Sequence, residues 1–534
     1  MIKSVRGTRD LLPPETALWN HLEKVVREIF RAYNFQEIRT PIFEETQLFA
    51  RAVGEETDVV SKEMYTWYDG ADSADFVLNR EWLMRNLRGG PPFETIEAPA
   101  RLPRGSAGPT LYIIQNGNPS LVRFRYGATN QDVRQLTRDR QLWTGQESPR
   151  LLLVTLAGSV PESVNAFAAE QGVEIEHMTI DRFEAPQSLT LRPEATAGIV
   201  RAYIEHKLGD RGLNKLYCIG PMFRRERPQK GRYRQFYQID AEIIGPSSSG
   251  SESPARDAEI IELLATLLDR LNIKNWTLQL NSIGCANDRA AYNEALRKAL
   301  DPVKDKMCSD CQRRAVTNPL RVFDCKVPED QPIIETLPRI SQYLDEPCRK
   351  HFAEVKEILK AVGVEFVEND RLVRGLDYYM RTTFEFTHGA LGAQNALLGG
   401  GRYDGLSEFL GGPQAPGIGF AIGEDRLVLA LQESAEAIQP KPDVYIAPLG
   451  PGMDREAARL ARELRRENLI VELGDENFRL KKSLETGSKA GARYALIVGE
   501  NEIKSGEFAL KNLATGQQVQ VPRAGLANRI QSKE

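Results

Sequence analysis

Apolar residues near the start of the chain recur at the spacing of one helix face. They are Leu18, Leu22, Val25, Val26, Ile29, Phe30 and Tyr33. The spacing predicts an amphipathic helix over residues 15–33, followed by an extended stretch, FQEIRTP, that ends at Pro41. The helix packs either against a partner subunit or on the chain's own core, and spacing alone favours neither.

Two strand-like stretches, KEMYTWYDG and SLTLRPEATAG, have the pattern of a β-hairpin although residues 70–187 separate them. Exposed loop tips tolerate inserted domains. We therefore predict that residues 70–187 form a domain inserted at the tip of this hairpin.

The inserted segment has helix and strand patterns of its own. Helix patterns occur in SADFVLNREWLMRNLRGG and PESVNAFAAEQG, and strand patterns in TLYIIQN, LVRFRYG, RLLLVTLA and VEIEHMTI. The segment contains twelve arginines and no lysine. Arginine binds phosphate through two hydrogen bonds at once, so an excess of arginine over lysine is compatible with an RNA-contacting surface. We favour the alternative, a packing module with a solvated charged surface.

Three patterned segments follow the insertion. A helix pattern covers residues 255–271, and residues 284–363 are mostly helical in pattern. From Lys441 onward, the strand patterns DVYIAPLG, LIVELG and YALIVGENEI alternate with helix patterns in DREAARLARELRREN and LKKSLETGSKAGAR. This alternation predicts a separate, largely parallel α/β domain.

Length and composition fit several soluble domains. At roughly 150 residues per domain, 534 residues correspond to three or four domains. With a net charge of -4 and a pI near 6.0, the chain has no global attraction to nucleic acid, so any anion binding is local. No apolar stretch approaches the roughly 20 residues that span a bilayer, and no apolar leader opens the chain. We expect a cytoplasmic protein without membrane contacts.

The stretch FRRERPQKGRYRQFYQID, residues 223–240, concentrates positive charge between two strand patterns. Its cations are Arg224, Arg225, Arg227, Lys230, Arg232 and Arg234. Period-two alternation places two sets of residues on opposite faces of the second strand. One set is Arg234, Phe236, Gln238, Asp240 and Glu242, and the other is Tyr233, Gln235, Tyr237, Ile239 and Ala241. An aromatic ring, an amide and acids on one face favour a ligand site over a merely solvated hairpin.

Two further motifs carry arginines beside aromatic or glycine residues. LVRGLDYYMRTTFEF contains Arg374, and GGGRYDGL with GIGFAIGEDRL supplies glycines before Arg426. GIGFAIG is not a dinucleotide fingerprint, because its third glycine comes one position too late. The sequence contains no G-x-x-x-x-G-K-[ST] phosphate loop, so arginines and a metal ion must hold any nucleotide.

The set of motifs resembles that of the class II aminoacyl-tRNA synthetases and, among them, the histidyl-tRNA synthetases. The segments that carry the resemblance, in the order of that family, are RGTRDLLP, LTLRPEATAG, FRRERPQKGRYRQFYQ, LNSIGC, NPLRVFDCK, LVRGLDYY, GGGRYDGL and GARYALIVGE. RGLDYY is the most selective of them. Together they cover nearly everything outside residues 70–187.

The resemblance implies a fold and a domain order. The fold is an α+β catalytic core, an antiparallel sheet flanked by helices, with an inserted α/β domain, a helical insertion and a C-terminal α/β anticodon-binding-like domain. The expected boundaries are 1–69, 188–283 and 364–434 for the core, 70–187 for the inserted domain, 284–363 for the helical insertion and 441–534 for the C-terminal domain. A homodimer with the first helix at its interface is also implied.

The resemblance further implies a histidine–tRNA ligase, which uses ATP with Mg²⁺ to activate L-histidine and transfers it to the 3′ end of histidine tRNA. By similarity, the catalytic residues are Arg224 and Arg374. The ATP-binding residues are Arg224, Glu226, Phe236 and Arg426. The histidine-binding residues are Glu194, Thr196, Gln238, Glu242, Tyr378, Tyr379 and Tyr403. Lys230 and Arg232 would contact tRNA.

The six cysteines are too few for a disulfide framework in a chain of this length. Cys308 and Cys311 form a C-x-x-C pair, and Cys285 and Cys325 are near enough in sequence to complete a structural zinc site. Because this spacing is loose, we favour reduced thiols in a helical insertion over zinc.

Two other functions compete with the ligase. A regulatory paralogue that partners ATP phosphoribosyltransferase in histidine biosynthesis shares the catalytic core but lacks the anticodon-type domain and usually degrades these motifs. Both features are intact here, so the sequence favours the ligase. A class II synthetase for another amino acid conflicts with LVRGLDYY.

Overall fold

The computed structural model describes residues 2–54, 57–69, 78, 82, 94–96, 111–115, 118–141, 148–156, 160–179, 187–229, 231–389, 396–432 and 441–532. The chain divides into two compact units. The larger unit is Met1–Asp10 with Lys24–Ser434, and the smaller is Leu11–Glu23 with Ala435–Glu534.

The helices and strands follow in chain order. The strands are β1 (Gln36–Glu37), β2 (Phe43–Glu45), β3 (Thr66–Asp69), β4 (Glu94–Ile96), β5 (Leu111–Gln115), β6 (Asn118–Phe124), β7 (Arg150–Leu156), β8 (Glu174–Met178), β9 (Gln187–Leu191), β10 (Asn214–Phe223), β11 (Gln235–Ile244), β12 (Trp276–Ser282), β13 (Val367–Glu368), β14 (Met380–His388), β15 (Ala396–Arg402), β16 (Gly417–Gly423), β17 (Val444–Pro448), β18 (Val471–Leu473), β19 (Tyr494–Val498), β20 (Glu507–Asn512) and β21 (Gln518–Pro522). The α-helices are α1 (Glu15–Ala32), α2 (Thr46–Val53), α3 (Asn130–Gln141), α4 (Glu162–Glu170), α5 (Thr196–Glu205), α6 (Pro254–Arg270), α7 (Ala286–Leu300), α8 (Ser309–Thr317), α9 (Gln331–Glu335), α10 (Glu346–Ala361), α11 (Leu406–Phe409), α12 (Glu424–Gln432), α13 (Met453–Arg466), α14 (Leu480–Lys489), α15 (Glu500–Ser505) and α16 (Leu526–Gln531).

An eight-stranded sheet forms the centre of the larger unit. Its order is β1-β10-β11-β16-β15-β14-β12-β13, and its pairs are antiparallel except for the parallel pairs β1–β10 and β12–β13 at the two edges. Helices α6 and α10 pack against each other, and they contact β16 and β14 respectively. The predicted antiparallel sheet flanked by helices is therefore confirmed.

The two strands predicted to form the interrupted hairpin do pair. β3 and β9 are antiparallel, with Thr66 opposite Thr190 and Asp69 opposite Gln187. The chain thus leaves this ladder after Asp69 and returns to it at Gln187. Strands between these two positions form a separate sheet.

That sheet has five strands in the order β4-β5-β6-β7-β8, with β6, β7 and β8 parallel. The four strand patterns and the helix pattern in PESVNAFAAEQG are confirmed, whereas most of the other predicted helix lies outside the described residues. Helix α3 was missed, because its buried face includes a carboxylate: Asp132 pairs with Arg125 at 2.9 Å and with Arg123 at 3.3 Å. Two of the twelve arginines are therefore structural and do not belong to a nucleic-acid surface.

Residues 284–363 are mostly helical, as predicted, and contribute α7, α8, α9 and α10 with several 3₁₀ turns, among them Pro319–Asp324. In the C-terminal unit, β17, β18 and β19 are parallel and β20 and β21 extend the sheet in antiparallel fashion. The last predicted strand was too long, because its ENEI residues begin α15 after Gly499. No helix within the described ranges has both the length and the apolarity to cross a bilayer.

A buried ion cluster joins the sheet to α6 behind the glycine-rich strands. The fully buried Arg402 of β15 lies 3.2 Å from Asp257 Oδ1 of α6 and 3.1 Å from Asp404 Oδ1. Burial raises the pKa of Asp257 to about 6, so this carboxylate is charged at neutral pH and pairs with the guanidinium. Burial lowers the pKa of the neighbouring His351 to about 4, so its ring is neutral.

We predict that Arg402→Met destabilises the chain by about 3–5 kcal/mol, because it leaves the Asp257 carboxylate buried without its partner. Urea unfolding followed by circular dichroism measures the change. As a control, Lys298→Met breaks a solvent-exposed pair with Glu294 and should leave the unfolding midpoint in place. If the two substitutions shift the unfolding midpoint equally, the buried pair between Arg402 and Asp257 does not stabilise the chain more than an exposed pair does.

Candidate active site

A cleft of about 550 Å³ lies over the face of the sheet formed by β11, β15 and β16. It gathers residues that the sequence places far apart. The predicted site residues that line it are Glu194, Thr196, Arg224, Glu226, Arg232, Phe236, Gln238, Arg374, Tyr378, Tyr379 and Arg426. Glu242 and Tyr403 are buried against this group, and Lys230 lies outside the described residues.

The alternation along β11 positions one set of these side chains. Phe236, Gln238 and Asp240 line the cleft, whereas Ile239 and Ala241 are buried on the opposite face, as predicted. The prediction was wrong at the start of the strand, because regular pairing begins only at Gln235.

The side chains of Tyr233 and Arg234, which precede Gln235, lie on the sides opposite to those predicted. Tyr233 lines the cleft. Arg234 instead turns to the N-terminal segment, where its backbone N–H donates to Gly7 O at 2.7 Å and its Nη1 donates to Arg6 O at 3.3 Å. Nearby, Arg9 pairs with Asp425 at 2.9 Å and lies over the Tyr233 ring. The RGTRD segment thus holds the start of α12 beside the hairpin.

One end of the cleft is acidic. Glu194 precedes α5 and accepts hydrogen bonds from the backbone N–H groups of Thr196 at 2.8 Å and Ala197 at 2.9 Å. The Thr196 hydroxyl donates to Glu242 Oε1 at 2.7 Å. Burial, with Glu242 and Glu194 nearby, raises the pKa of Asp240 well above its ordinary value. Burial also raises the pKa of Glu242 to about 8.

Acceptor atoms at this end lack donors. Among the described residues, Gln238 Oε1 and both carboxylate oxygens of Asp240 are buried at the cleft and make no hydrogen bond of normal geometry. Buried acceptors in native proteins are almost always satisfied, so three such atoms around one cavity indicate a ligand rich in N–H donors. Asp240 was not among the predicted site residues, although its place in the alternation already put it on this face.

The other end of the cleft is basic. Arg224 donates from Nε to Pro193 O at 2.9 Å and lies over the Phe236 ring, 5.3 Å from its centroid. Arg374 pairs with Glu385 at 3.0 Å. Arg426 donates to Ala396 O at 2.8 Å, and burial together with nearby Arg232 lowers its pKa. These contacts fix the guanidinium groups at the cleft wall before any ligand arrives.

Two further arginines at this end come from the helical segment, and sequence reasoning missed them. Arg314 of α8 and Arg321 of the turn Pro319–Asp324 both line the cleft. Arg321 donates to Arg374 O at 3.1 Å and pairs with Asp324 at 3.1 Å. Arg321 belongs to NPLRVFDCK, one of the segments that carry the family resemblance, so this motif was the signal that could have identified it.

Glycines make room for the site residues. A Cβ at Gly419 would lie 1.6 Å from Glu242 Oε2, and one at Gly417 would lie 2.4 Å from the Tyr403 ring. At Gly401 the nearest side chain is Tyr379 at 2.9 Å, and at Gly399 it is Arg374 at 2.6 Å. The glycine-rich motifs therefore allow side chains to approach the strands closely, as the sequence suggested. They do not form a nucleotide-binding loop.

The cysteines fall into two groups that differ from the predicted set. Cys308, Cys311 and Cys325 lie together, but the fourth residue beside them is Asp330 and not Cys285. Cys285 belongs to a second group with Asp288, Asp345 and Cys348, and it is the N-cap residue of α7.

The chain is similar to known proteins along its whole length. Residues 162–427 match the family model described as histidyl-tRNA synthetase, and residues 443–533 match that of an anticodon binding domain. A Koribacter versatilis protein named histidine–tRNA ligase is 54% identical over 528 residues, which cover 99% of this chain and 95% of its own. A Solibacter usitatus protein of the same name is 47% identical over 532 residues, 99% of each chain. The crystal structure of apo histidyl-tRNA synthetase from S. aureus is 29% identical, covers 100% of both chains and has a TM-score of 0.65.

We predict that Gly419→Ala destabilises the chain by about 1–3 kcal/mol, because the added methyl group must displace the Glu242 carboxylate from a packed site. Urea unfolding measures the loss. Gly405→Ala is the matched control, since its Cβ would meet only Met380 Cε at 3.5 Å, an ordinary contact. A Gly419→Ala protein as stable as the control would show that the strand can move away from Glu242.

Proposed function

The chain belongs to the histidyl-tRNA synthetase family, and from that premise we propose that it is a histidine–tRNA ligase, an ATP-dependent aminoacyl-tRNA synthetase. The observation that carries the proposal is the polarity of the cleft, which has unpartnered buried acceptors at one end and fixed guanidinium groups at the other. An amino acid with a cationic amino group and a second N–H donor fits the acidic end. A triphosphate fits the basic end.

At the acidic end, we assign the α-ammonium group of histidine to Glu194, Thr196 and Gln238. Asp240 adds a carboxylate on the same face. Glu242 and Tyr379 read the imidazole, while Tyr378 and Tyr403 form the adjoining walls. A site whose buried polar atoms need donors rejects amino acids that cannot supply them, because those atoms would then stay unpaired.

At the basic end, Phe236 stacks on the adenine, Arg426 binds the γ-phosphate, and Glu226 adds a polar contact to ATP. The histidine carboxylate oxygen attacks the α-phosphorus, the bond to the bridging oxygen breaks, and pyrophosphate leaves. Negative charge builds on the α-phosphate oxygens during this step. Arg224 and Arg374 are already fixed by their contacts, so they stabilise that charge without reorganising.

Mg²⁺ would accompany ATP. Glu226 and Glu385 are carboxylates that line the basic end, and oxygen ligands of this kind suit the ion. When bound, Mg²⁺ neutralises phosphate charge and orients the outer phosphates.

In the second step, a hydroxyl of the terminal adenosine of histidine tRNA attacks the histidyl carbonyl and AMP leaves. Arg232, and Lys230 beside it in sequence, would meet the acceptor end of the tRNA, since Arg232 lies in the hairpin loop at the cleft. The C-terminal domain would contact the anticodon. The further assignments are a homodimer with α1 at its interface and a cytoplasmic location.

The regulatory paralogue is the weaker alternative. A match to the anticodon-binding domain over residues 443–533 opposes it, as do full-length relatives named histidine–tRNA ligase. The arginines that such a paralogue would not need all line the cleft.

We predict that ATP–pyrophosphate exchange, run with each of the twenty amino acids, occurs with histidine alone. Arg374→Ala should lower the exchange rate by about 10²–10³-fold, because a fixed positive charge at the α-phosphate is lost. Arg371→Ala is the matched control: this residue lies in the same loop, pairs with Glu335 and Gln331, and does not line the cleft. Absence of exchange with every amino acid would refute the ligase and favour the regulatory paralogue.

We also predict that histidine binds more tightly as the pH rises through about 8. The Glu242 carboxyl is mostly neutral below its raised pKa of about 8 and charged above it. If the charged form accepts the imidazole N–H, affinity rises about eightfold between pH 7.0 and 8.5.

Calorimetric titration with L-histidine tests this dependence. Glu242→Gln removes the titrating carboxyl but keeps an acceptor, and the ligand's own titration is the same for both proteins. If the histidine affinity of the wild type rises with pH no more steeply than that of Glu242→Gln, Glu242 does not have this role.

A further inference from the structure

Three thiols and one carboxylate converge in the helical segment, apart from the residues assigned to ATP and histidine. Cys308 precedes α8, Cys311 lies in its first turn, Cys325 follows the turn Pro319–Asp324, and Asp330 precedes α9. Their ligand atoms all lie within 4.8 Å of one another. All but Cys308 are buried.

The spacing of the sulfur atoms suits a tetrahedral metal ion. Cys308 Sγ and Cys325 Sγ are 3.8 Å apart, which is far longer than a disulfide bond. Two thiolates bound to zinc at about 2.3 Å in tetrahedral geometry lie about 3.8 Å from each other. Cys325 Sγ is also 3.1 Å from Asp330 Oδ2, so the carboxylate lies close enough to bind the same ion.

Backbone groups hold the ligands in orientation. The N–H of Cys308 donates to Asp330 Oδ1 at 3.0 Å, and the N–H of Val327 donates to Cys325 Sγ at 3.4 Å. Hydrogen bonds of this kind fix the direction of ligand atoms around a metal.

The second cysteine group differs in its donor set, because it offers two thiols and two carboxylates where the first group offers three thiols and one carboxylate. Its carboxylates already serve the backbone, because Asp288 accepts from Cys285 N at 3.0 Å and from Asp345 N at 2.9 Å. Asp345 caps α10 by accepting from Cys348 N at 2.8 Å. Soft thiolate ligands favour zinc, so the group with three thiols is the stronger candidate.

We propose that Cys308, Cys311, Cys325 and Asp330 bind one zinc ion. The ion links the start of α8 to Cys325, which follows the turn Pro319–Asp324. It would thereby restrain the stretch between them, which carries Arg314 and Arg321. Those two arginines line the cleft, and Arg321 donates to Arg374 O. Zinc thereby fixes part of the basic wall from outside the core sheet.

Metal analysis of the reduced full-length protein tests the site. The wild type should contain roughly one zinc ion per chain, and Cys311→Ser should lose it. Cys348→Ser is the matched control, since it removes a buried cysteine from the second group and should keep the ion. Loss of zinc in Cys348→Ser but not in Cys311→Ser would overturn the assignment.

Cobalt substitution tests the ligand set without relying on a disruptive change. Wild type loaded with Co²⁺ should show the intense visible bands of tetrahedral coordination and thiolate-to-cobalt charge transfer. Asp330→Cys should keep the ion and increase the charge-transfer absorbance, because three thiolates become four. A reduced wild-type chain that takes up neither Zn²⁺ nor Co²⁺ would refute the proposal.

Amide hydrogen exchange tests the link to the cleft. Residues 319–325 should exchange faster in Cys311→Ser than in wild type or in Cys348→Ser. Equal exchange in all three proteins would show that the ion does not hold this segment.

Discussion

The close packing of Glu242 against Gly419 sets the geometry on which the cleft depends. These two residues face each other in the register of β11 and β16, and no side chain larger than hydrogen fits at position 419. Because antiparallel pairing repeats every two residues, fixing this one pair also fixes Gln238 and Asp240 along the same face. Residues of β15 are fixed through their pairing with β16, where Gly401 stands opposite Gly419.

The cleft therefore brings acidic and basic side chains together over one face of the sheet. Its acidic end is built from β11 and the start of α5, while its basic end draws on the hairpin, the loop that carries Arg374, α12 and the helical segment. Glu194 is fixed by backbone N–H groups, and Arg224 and Arg426 are fixed by backbone carbonyls. For a reaction that joins a cationic amino acid to a polyanionic nucleotide, this arrangement lets each substrate be held by interactions that the other does not compete for.

Much of this could be predicted from the sequence, for identifiable reasons. Strand alternation is a local property, so it placed Phe236, Gln238 and Asp240 correctly and failed only at Tyr233 and Arg234, which precede the regular strand. Helix α3 was missed because its buried face contains an ion pair, which hydrophobic periodicity does not register. Asp330 was missed because one carboxylate at the end of a short 3₁₀ turn has no sequence pattern, and only the fold brings it to the cysteines. The roles assigned to individual residues stay predictions.

The ladder between β3 and β9 has a consequence for how this chain varies in length. Asp69 and Gln187 are direct neighbours in that ladder, so the chain leaves the core and returns to it at adjacent positions. The entropy of closing a loop grows only with the logarithm of its length, so a whole domain costs the hairpin little more than a long loop does. The segment between the two strands can therefore change in length while the register of β3 and β9 stays the same.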